Sequence, residues 1–338
     1  MKAVGYLKSL PVTAPDCLTD FTAETPAPGP RDLRVAVKAV SVNPVDTKVR
    51  MRAAPTEGEP PKVLGYDAAG VVEAVGPEVT LFRPGDEVFY AGSIARPGTN
   101  SELHLVDERI VGQKPKSLSF AQAAALPLTS ITAWEMLFDR LAVAPDKKDE
   151  DRALLVIGGG GGVGSIMIQL ARKRTRLTVI ATASRQATRD WCLKLGAHHV
   201  IDHAKPLADQ LKAIGHANVA LIAGVTGTDQ SGPQIEGIIA PQGKFALIDD
   251  PKTFDIMPLK RKAASVHWES MFTRAIFQTP DMIEQHNLLN AVAEMVDAGE
   301  IVTTAAQELS PINAANLIKA HAQVESGTTI GKVVLAGW

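Results

Sequence analysis

Five consecutive glycines, Gly158 to Gly162, follow directly on the apolar run Ala153-Leu154-Leu155-Val156-Ile157, and Gly164 comes two residues later. A regular helix does not tolerate such a run, because each interior glycine costs about 1 kcal/mol relative to alanine. The uncharged stretch 153–171 is therefore not one apolar helix, and a membrane span is not expected. A strand, a glycine turn and a helix fit instead. Gly159-x-Gly161-x-x-Gly164 has the spacing of a dinucleotide fingerprint. Its first glycine permits the tight turn, its second lets the backbone approach a pyrophosphate, and its third lets the helix pack close on the strand. The helix start at Gly162 and Val163 then presents free N–H groups to the phosphates. A flexible loop that binds nothing is the competing reading.

The residues C-terminal to the glycines favour the fingerprint over a loop. Leu177–Ala183, His199–Ile201, Asn218–Ala223 and Gly243–Ile248 read as strands, and Val163–Lys173 and Arg185–Leu195 as helices. Such alternation predicts an α/β fold with a Rossmann-type, doubly wound parallel sheet. The chain before about Phe120 differs. Proline and glycine punctuate it, and the short runs Leu33–Val40, Gly70–Val75 and Glu87–Tyr90 predict a twisted antiparallel β domain. Ala121–Leu141 reads mostly as helix, with Pro127 starting or offsetting a segment, and Pro145–Arg152 as a charged connector. Beyond Met257 come an extended segment (Ser265–Phe272), helices Met282–Ala298 and Ile312–Gln323, and a closing strand Thr329–Leu335. We expect this tail to return to the first domain. The expected domains are thus 1–123 with 271–338, and 124–270.

The end of the second strand of such a unit selects the coenzyme. A carboxylate there would bind a ribose 2′-hydroxyl and repel a 2′-phosphate. Here it reads Ala181-Thr182-Ala183-Ser184-Arg185, with no acid before Asp190. Ser184 can donate a hydrogen bond and Arg185 can pair with phosphate, which favours NADP(H). A capping serine followed by a solvated arginine also fits. His203, after the third strand, is expected near the adenosine end or simply at the surface.

Charge excludes some partners. Thirty-five basic residues oppose 37 acidic ones, for a net charge of -2, and no block of like charge stands out. Neither nucleic acid nor an anionic membrane is expected as a partner. The two cysteines, Cys17 and Cys192, cannot build a four-cysteine metal site and fit a reducing cytosol. Met1–Leu10 lacks the apolar core of a secretory signal, so the expected location is cytoplasmic.

Several segments together resemble the medium-chain dehydrogenase/reductase superfamily. Gly65-Tyr66-Asp67-Ala68-Ala69-Gly70-Val71-Val72-Glu73-Ala74-Val75-Gly76 with Pro84-Gly85-Asp86-Glu87-Val88 is similar to its GroES-like signature. Ala124–Trp134 is similar to the stretch that enters its coenzyme domain, and Gly331-Lys332-Val333-Val334-Leu335 to its ending. The resemblance covers essentially the whole chain and points to the quinone oxidoreductase branch. It implies a GroES-like β domain beside the Rossmann domain, and Thr129, Thr132 and Lys332 as coenzyme contacts. Helix capping is the plainer role for the threonines. By analogy it also implies a homodimer.

Zinc alcohol dehydrogenases of this superfamily hold their metal with cysteine, histidine and cysteine or a carboxylate. At the matching places this chain has Asn43, Tyr66 and a residue near Thr129, so no metal site is expected. The resemblance implies instead that Asn43, Asp46 and Tyr66 lie near the nicotinamide. Asn43 would hold substrate or ribose, Asp46 would orient its neighbours, and Tyr66 would donate to an enolate. A turn at Asn43-Pro44, a cap at Asp46 and a packed ring at Tyr66 fit equally. The expected activity is a zinc-independent, NADPH-dependent reduction of a small quinone or α,β-unsaturated carbonyl. An enoyl-thioester reductase, a zinc alcohol dehydrogenase and a non-catalytic cofactor-bound protein are the alternatives. His321 and Glu325, one helical turn apart, are expected to be a surface pair.

Overall fold

A computed structural model describes residues 1–145 and 152–338. Residues 146–151, most of the charged connector, lie outside the described residues. The chain divides into two compact units, Met1–Ile131 with Phe272–Trp338, and Thr132–Met271.

The first unit opens with strands β1 (Lys2–Tyr6), β2 (Thr19–Thr22) and β3 (Asp32–Val42), then helix α1 (Pro44–Arg52). Strands β4 (Lys62–Val63), β5 (Ala68–Val75), β6 (Glu87–Tyr90), β7 (Leu103–Asp107) and β8 (Val111–Gln113) follow, then helices α2 (Phe120–Ala124) and α3 (Pro127–Trp134). Proline starts α3, where a missing N–H costs nothing. The helical stretch expected over 121–141 is two helices, the second starting at Pro127 as expected, and Glu135–Arg140 turns in π-helical form.

The second unit alternates as expected: β9 (Ala153–Ile157), α4 (Gly162–Arg174), β10 (Thr178–Thr182), α5 (Gln186–Lys194), β11 (His199–Ile201), α6 (Leu207–Ala213), β12 (Val219–Gly224), α7 (Thr228–Ile238), β13 (Ile239–Leu247) and β14 (Ser265–Trp268). Among the described residues its strands form one parallel sheet in the order β11-β10-β9-β12-β13-β14. Every residue of β9 is buried, as befits a central strand covered on both faces. The order reverses between β10 and β12, so the switch point falls at the carboxyl end of β9, where the glycine run begins. The extended segment expected over 265–272 is strand only to Trp268.

The chain then returns to the first unit through α8 (Thr273–Phe277), α9 (Glu284–Asp297), β15 (Ala305–Leu309), α10 (Ala314–Glu325) and β16 (Lys332–Ala336). β16 runs antiparallel to β3, pairing Val333 with Val42 and Ala336 with Ala39. The sheet reads β15-β16-β3-β5-β6-β8, with β7 also on β3. In the first half of β3, Leu33, Val35 and Val37 point inward while their neighbours are half-exposed. No helix among the described residues is long and apolar enough to cross a membrane.

His321 and Glu325 are not a surface pair. α10 packs on α1, and His321 is fully buried. The buried Arg50 guanidinium donates to His321 Nδ1 at 2.9 Å and also pairs with Glu325. An arginine only donates, so the imidazole nitrogen must accept. Burial, reinforced by the Arg50 charge, holds His321 neutral and pushes its pKa down to about 3.

Candidate active site

The start of α1 gathers the first group of residues. Asn43, in extended backbone, is the N-cap, and Pro44 opens the helix. Asp46 Oδ2 accepts the Asn43 N–H at 2.8 Å, and Oδ1 accepts the Gly65 N–H at 2.9 Å. One carboxylate thus caps the helix and ties down the segment leading into Tyr66. Asn43 and Asp46 are both 1% exposed. Burial pushes the Asp46 carboxyl up to about 7 despite the two N–H donors.

Asp67 and Lys332 form the second group. Lys332 Nζ donates to Asp67 Oδ2 at 3.1 Å, to Val42 O at 3.0 Å and to Asn43 Oδ1. These three acceptors use the three ammonium protons. Asp67 also accepts from Ser41 Oγ at 2.8 Å, Asn43 Nδ2 at 2.7 Å and the Leu128 N–H at 2.8 Å. Burial raises the Asp67 carboxyl, while Lys332 and the other donors pull it back. Burial likewise lowers the Lys332 ammonium, and Asp67 only partly opposes that. The two charges neutralise each other, so Asp46 is the member of this cluster that titrates near neutrality. Lys332 was expected to contact coenzyme; its protons are instead spent inside the first unit, holding Asn43 and Asp67.

Tyr66 is different in kind. Its ring is 1% exposed and meets Phe272 edge-on at 5.4 Å, yet its hydroxyl has no hydrogen-bond partner. Buried hydroxyls nearly always find partners, so an orphan is a place where a ligand atom fits. Burial, then the Asp46 charge, raises the phenol, which keeps its proton at neutral pH. On α3, Thr129 Oγ1 bonds back to Leu126 O at 3.1 Å, the plainer of its two roles. Its neighbour Ser130 is buried with an unpartnered hydroxyl, and nothing in the sequence distinguished the two. Thr132 is also buried.

The glycine turn lies in the second unit. The left-handed residue is Gly158 (φ +92°), not Gly159, so the tight-turn role moves back by one position. A Cβ on Gly164 would fall 2.3 Å from Gly158 O and 2.7 Å from Gly159 Cα, the close helix-on-strand approach expected of the third glycine. Gly161 is the N-cap of α4, and a Cβ there would meet no protein atom nearer than 3.9 Å. Beside the turn, Thr188 is buried with an unpartnered Oγ1. This open cradle above free N–H groups fits a dinucleotide pyrophosphate. Gly162 and Val163 form the first turn of α4. Ser184, Arg185 and His203 are exposed at the ends of β10 and β11. Arg185, rather than Ser184, is the N-cap of α5, and no side-chain cap forms there.

Residues 29–128 match the alcohol dehydrogenase GroES-like domain, and residues 195–335 the zinc-binding dehydrogenase domain. A zinc-type alcohol dehydrogenase-like protein of Staphylococcus aureus (strain COL) is 40% identical over 99% of both chains. The chain belongs to the medium-chain dehydrogenase/reductase superfamily. A solved protein of Rhizobium etli CFN 42, provisionally named a zinc-dependent alcohol dehydrogenase, is 61% identical over 100% of this chain and 98% of its own, with a TM-score of 0.95. A quinone oxidoreductase of Pseudomonas syringae pv. tomato DC3000 is 26% identical over 99% of both chains, with a TM-score of 0.82. The superfamily's dehydrogenase fold binds a nicotinamide coenzyme, and the related proteins are oxidoreductases acting on small molecules.

The zinc in those names finds no matching donor set here. Zinc takes thiolate, imidazole or carboxylate ligands. Asn43, Tyr66 and Thr129 supply none, and Asp67 Oδ2 and Asn43 Oδ1 already receive the Lys332 ammonium. Among the described residues no three His, Cys, Asp or Glu side chains converge to hold an ion.

Proposed function

We propose that this superfamily member is a zinc-independent, NADPH-dependent reductase of small quinones or α,β-unsaturated carbonyls. The observation that carries the proposal is the Lys332 ammonium seated on Asn43 Oδ1 and Asp67 Oδ2, together with the buried, unpartnered hydroxyl of Tyr66, the residue before Asp67. A simple ketone needs strong polarisation before it accepts a hydride, and among the described residues no three His, Cys, Asp or Glu side chains converge to hold a metal that would supply it. A quinone or enone spreads the developing negative charge over its conjugated system and needs only hydrogen-bond donors at oxygen. The likeness to a quinone oxidoreductase supports the same class.

The bound nicotinamide supplies the hydride. The glycine turn and the start of α4 would hold its pyrophosphate, and Ser184, Arg185 and His203 would bind the 2′-phosphate. Tyr66, protonated at neutral pH, donates to the acceptor oxygen as charge develops there. Lys332 and Asp67 fix the Asn43 amide, which orients substrate or ribose, and Asp46 fixes the backbone on both sides. Thr129 and Thr132 complete the proposed coenzyme contacts. The expected assembly is a cytoplasmic homodimer.

The test is NADPH oxidation by purified protein with quinones, enones and enoyl thioesters, with and without a chelator. Turnover of the first two acceptors that survives chelation is expected. Activity lost to the chelator and restored by zinc would overturn the metal-free reading, and tight NADPH binding without turnover of any acceptor would overturn the enzymatic one.

A further inference from the structure

Arg189 lies in α5, four residues after the N-cap Arg185 and so on the same helix face. Its guanidinium turns back toward the helix start. Nη2 donates to Val200 O at 2.8 Å and Nη1 to Ala183 O at 3.3 Å, next to the carboxyl ends of β11 and β10. Both acceptors are neutral, and no carboxylate among the described residues forms an ion pair with it. The nearby acids are occupied. Asp190 Oδ1 accepts from Gln186 Nε2 at 2.8 Å. Asp202 accepts the Ala204 N–H at 2.9 Å and pairs with Lys205 at 3.8 Å. Arg189 is half-buried, so salt screens its charge less than that of a fully exposed arginine.

A half-buried cation without a counter-ion carries a desolvation cost that two carbonyls only partly offset. An anion arriving at this corner would offset the rest. The corner is where a dinucleotide places its adenosine ribose. We infer that Arg189 is a second determinant of NADPH over NADH. It acts in two ways, through its uncompensated charge beneath the 2′-phosphate and by holding the Ala183 carbonyl that sets the Ser184-Arg185 turn. This role rests on the proposed use of NADP(H). Nothing in the sequence singles out Arg189 within the helix, because only the fold shows which groups its side chain reaches.

The test is coenzyme binding, without turnover. Dissociation constants for NADPH, NADH, adenosine 2′,5′-bisphosphate and AMP are measured by calorimetry for the wild type, Arg189→Gln, Arg189→Lys and Arg185→Gln, with melting temperatures recorded alongside. Arg189→Gln should weaken NADPH and the bisphosphate roughly tenfold, the scale of one charge-assisted contact, and flatten their salt dependence. NADH and AMP should change less than about twofold, within the scatter of a surface substitution, and Arg189→Lys should recover most of the loss. Equal weakening of both coenzymes would make Arg189 a strand clamp and overturn the inference, as would no change in either. The wild type alone tests the underlying reading: no preference for the 2′-phosphorylated ligands would overturn the NADP(H) assignment itself, and this inference with it.

Discussion

Lys332 Nζ lies 3.1 Å from Asp67 Oδ2, and the two side chains are 4% and 0% exposed. Breaking a buried pair by removing one partner typically costs about 3–5 kcal/mol, because the other charge is left unpaired. Lys332→Met should lower the urea midpoint accordingly. Adding Asp67→Asn in the same chain should recover part of the loss. A midpoint unchanged in Lys332→Met would show that the pair does not hold this corner together.

Tyr66→Phe removes a hydroxyl that bonds to nothing in the protein. Stability should therefore stay level or rise slightly, whereas most core changes lower it. If the hydroxyl serves the acceptor oxygen, kcat should fall roughly 10²–10³-fold, the usual effect of losing one such donor. Steady-state kinetics with a quinone, paired with a thermal melt, separates the outcomes. An unchanged kcat leaves Tyr66 a packed ring.

Asp46 gives the cluster a pH dependence. Its folded-state pKa of about 7 stands above the ordinary 3.8, so between those values the folded protein binds the extra proton. Stability contributed by this group therefore declines as pH rises from about 4 to about 7 and is level above that. Asp46→Asn lacks the titration, so the gap between wild-type and variant urea midpoints should narrow across that window. A constant gap contradicts the assignment.

Gly161 and Gly164 respond to alanine for opposite reasons. At Gly161 the methyl has room, with no protein atom nearer than 3.9 Å, so the fold should be unaffected. It would stand where the pyrophosphate approaches, so NADPH affinity should drop sharply. At Gly164 the methyl meets backbone at 2.3 Å, and overpacking of this kind costs about 1–3 kcal/mol. Melting temperature and NADPH titration of both variants distinguish a binding glycine from a packing one. Normal coenzyme affinity in Gly161→Ala would move the pyrophosphate away from this turn.

Much of the second unit was legible from local pattern alone. The strand Ala153–Ile157, the turn and the alternation after it depend on short-range rules: apolar runs for buried strands, glycine where backbone must turn or approach closely. Even there one detail was misplaced. Spacing assigned the tight turn to Gly159, but the left-handed φ falls at Gly158, because the chain begins to turn at the first residue after the strand. Pro127 marks a segment start within the helical stretch 121–141, and α3 begins there, but composition does not register the π-helical turn over Glu135–Arg140.

By itself the sequence determined the α/β alternation, the glycine cradle, the absence of an acid after β10 and the lack of zinc-type ligands at Asn43 and Tyr66. Each of these is a property of residue type at a local spacing. Only the tertiary structure decided what the polar groups do. Lys332 lies 265 residues from Asp67, Arg50 lies 271 residues from His321, and Arg189 on α5 reaches a carbonyl 11 residues away on β11. Charge and hydrogen bonding act over a few ångströms in space, whatever the separation along the chain. A titrating Asp46, an orphaned Tyr66 hydroxyl and an uncompensated Arg189 therefore come into being only when the fold closes around them.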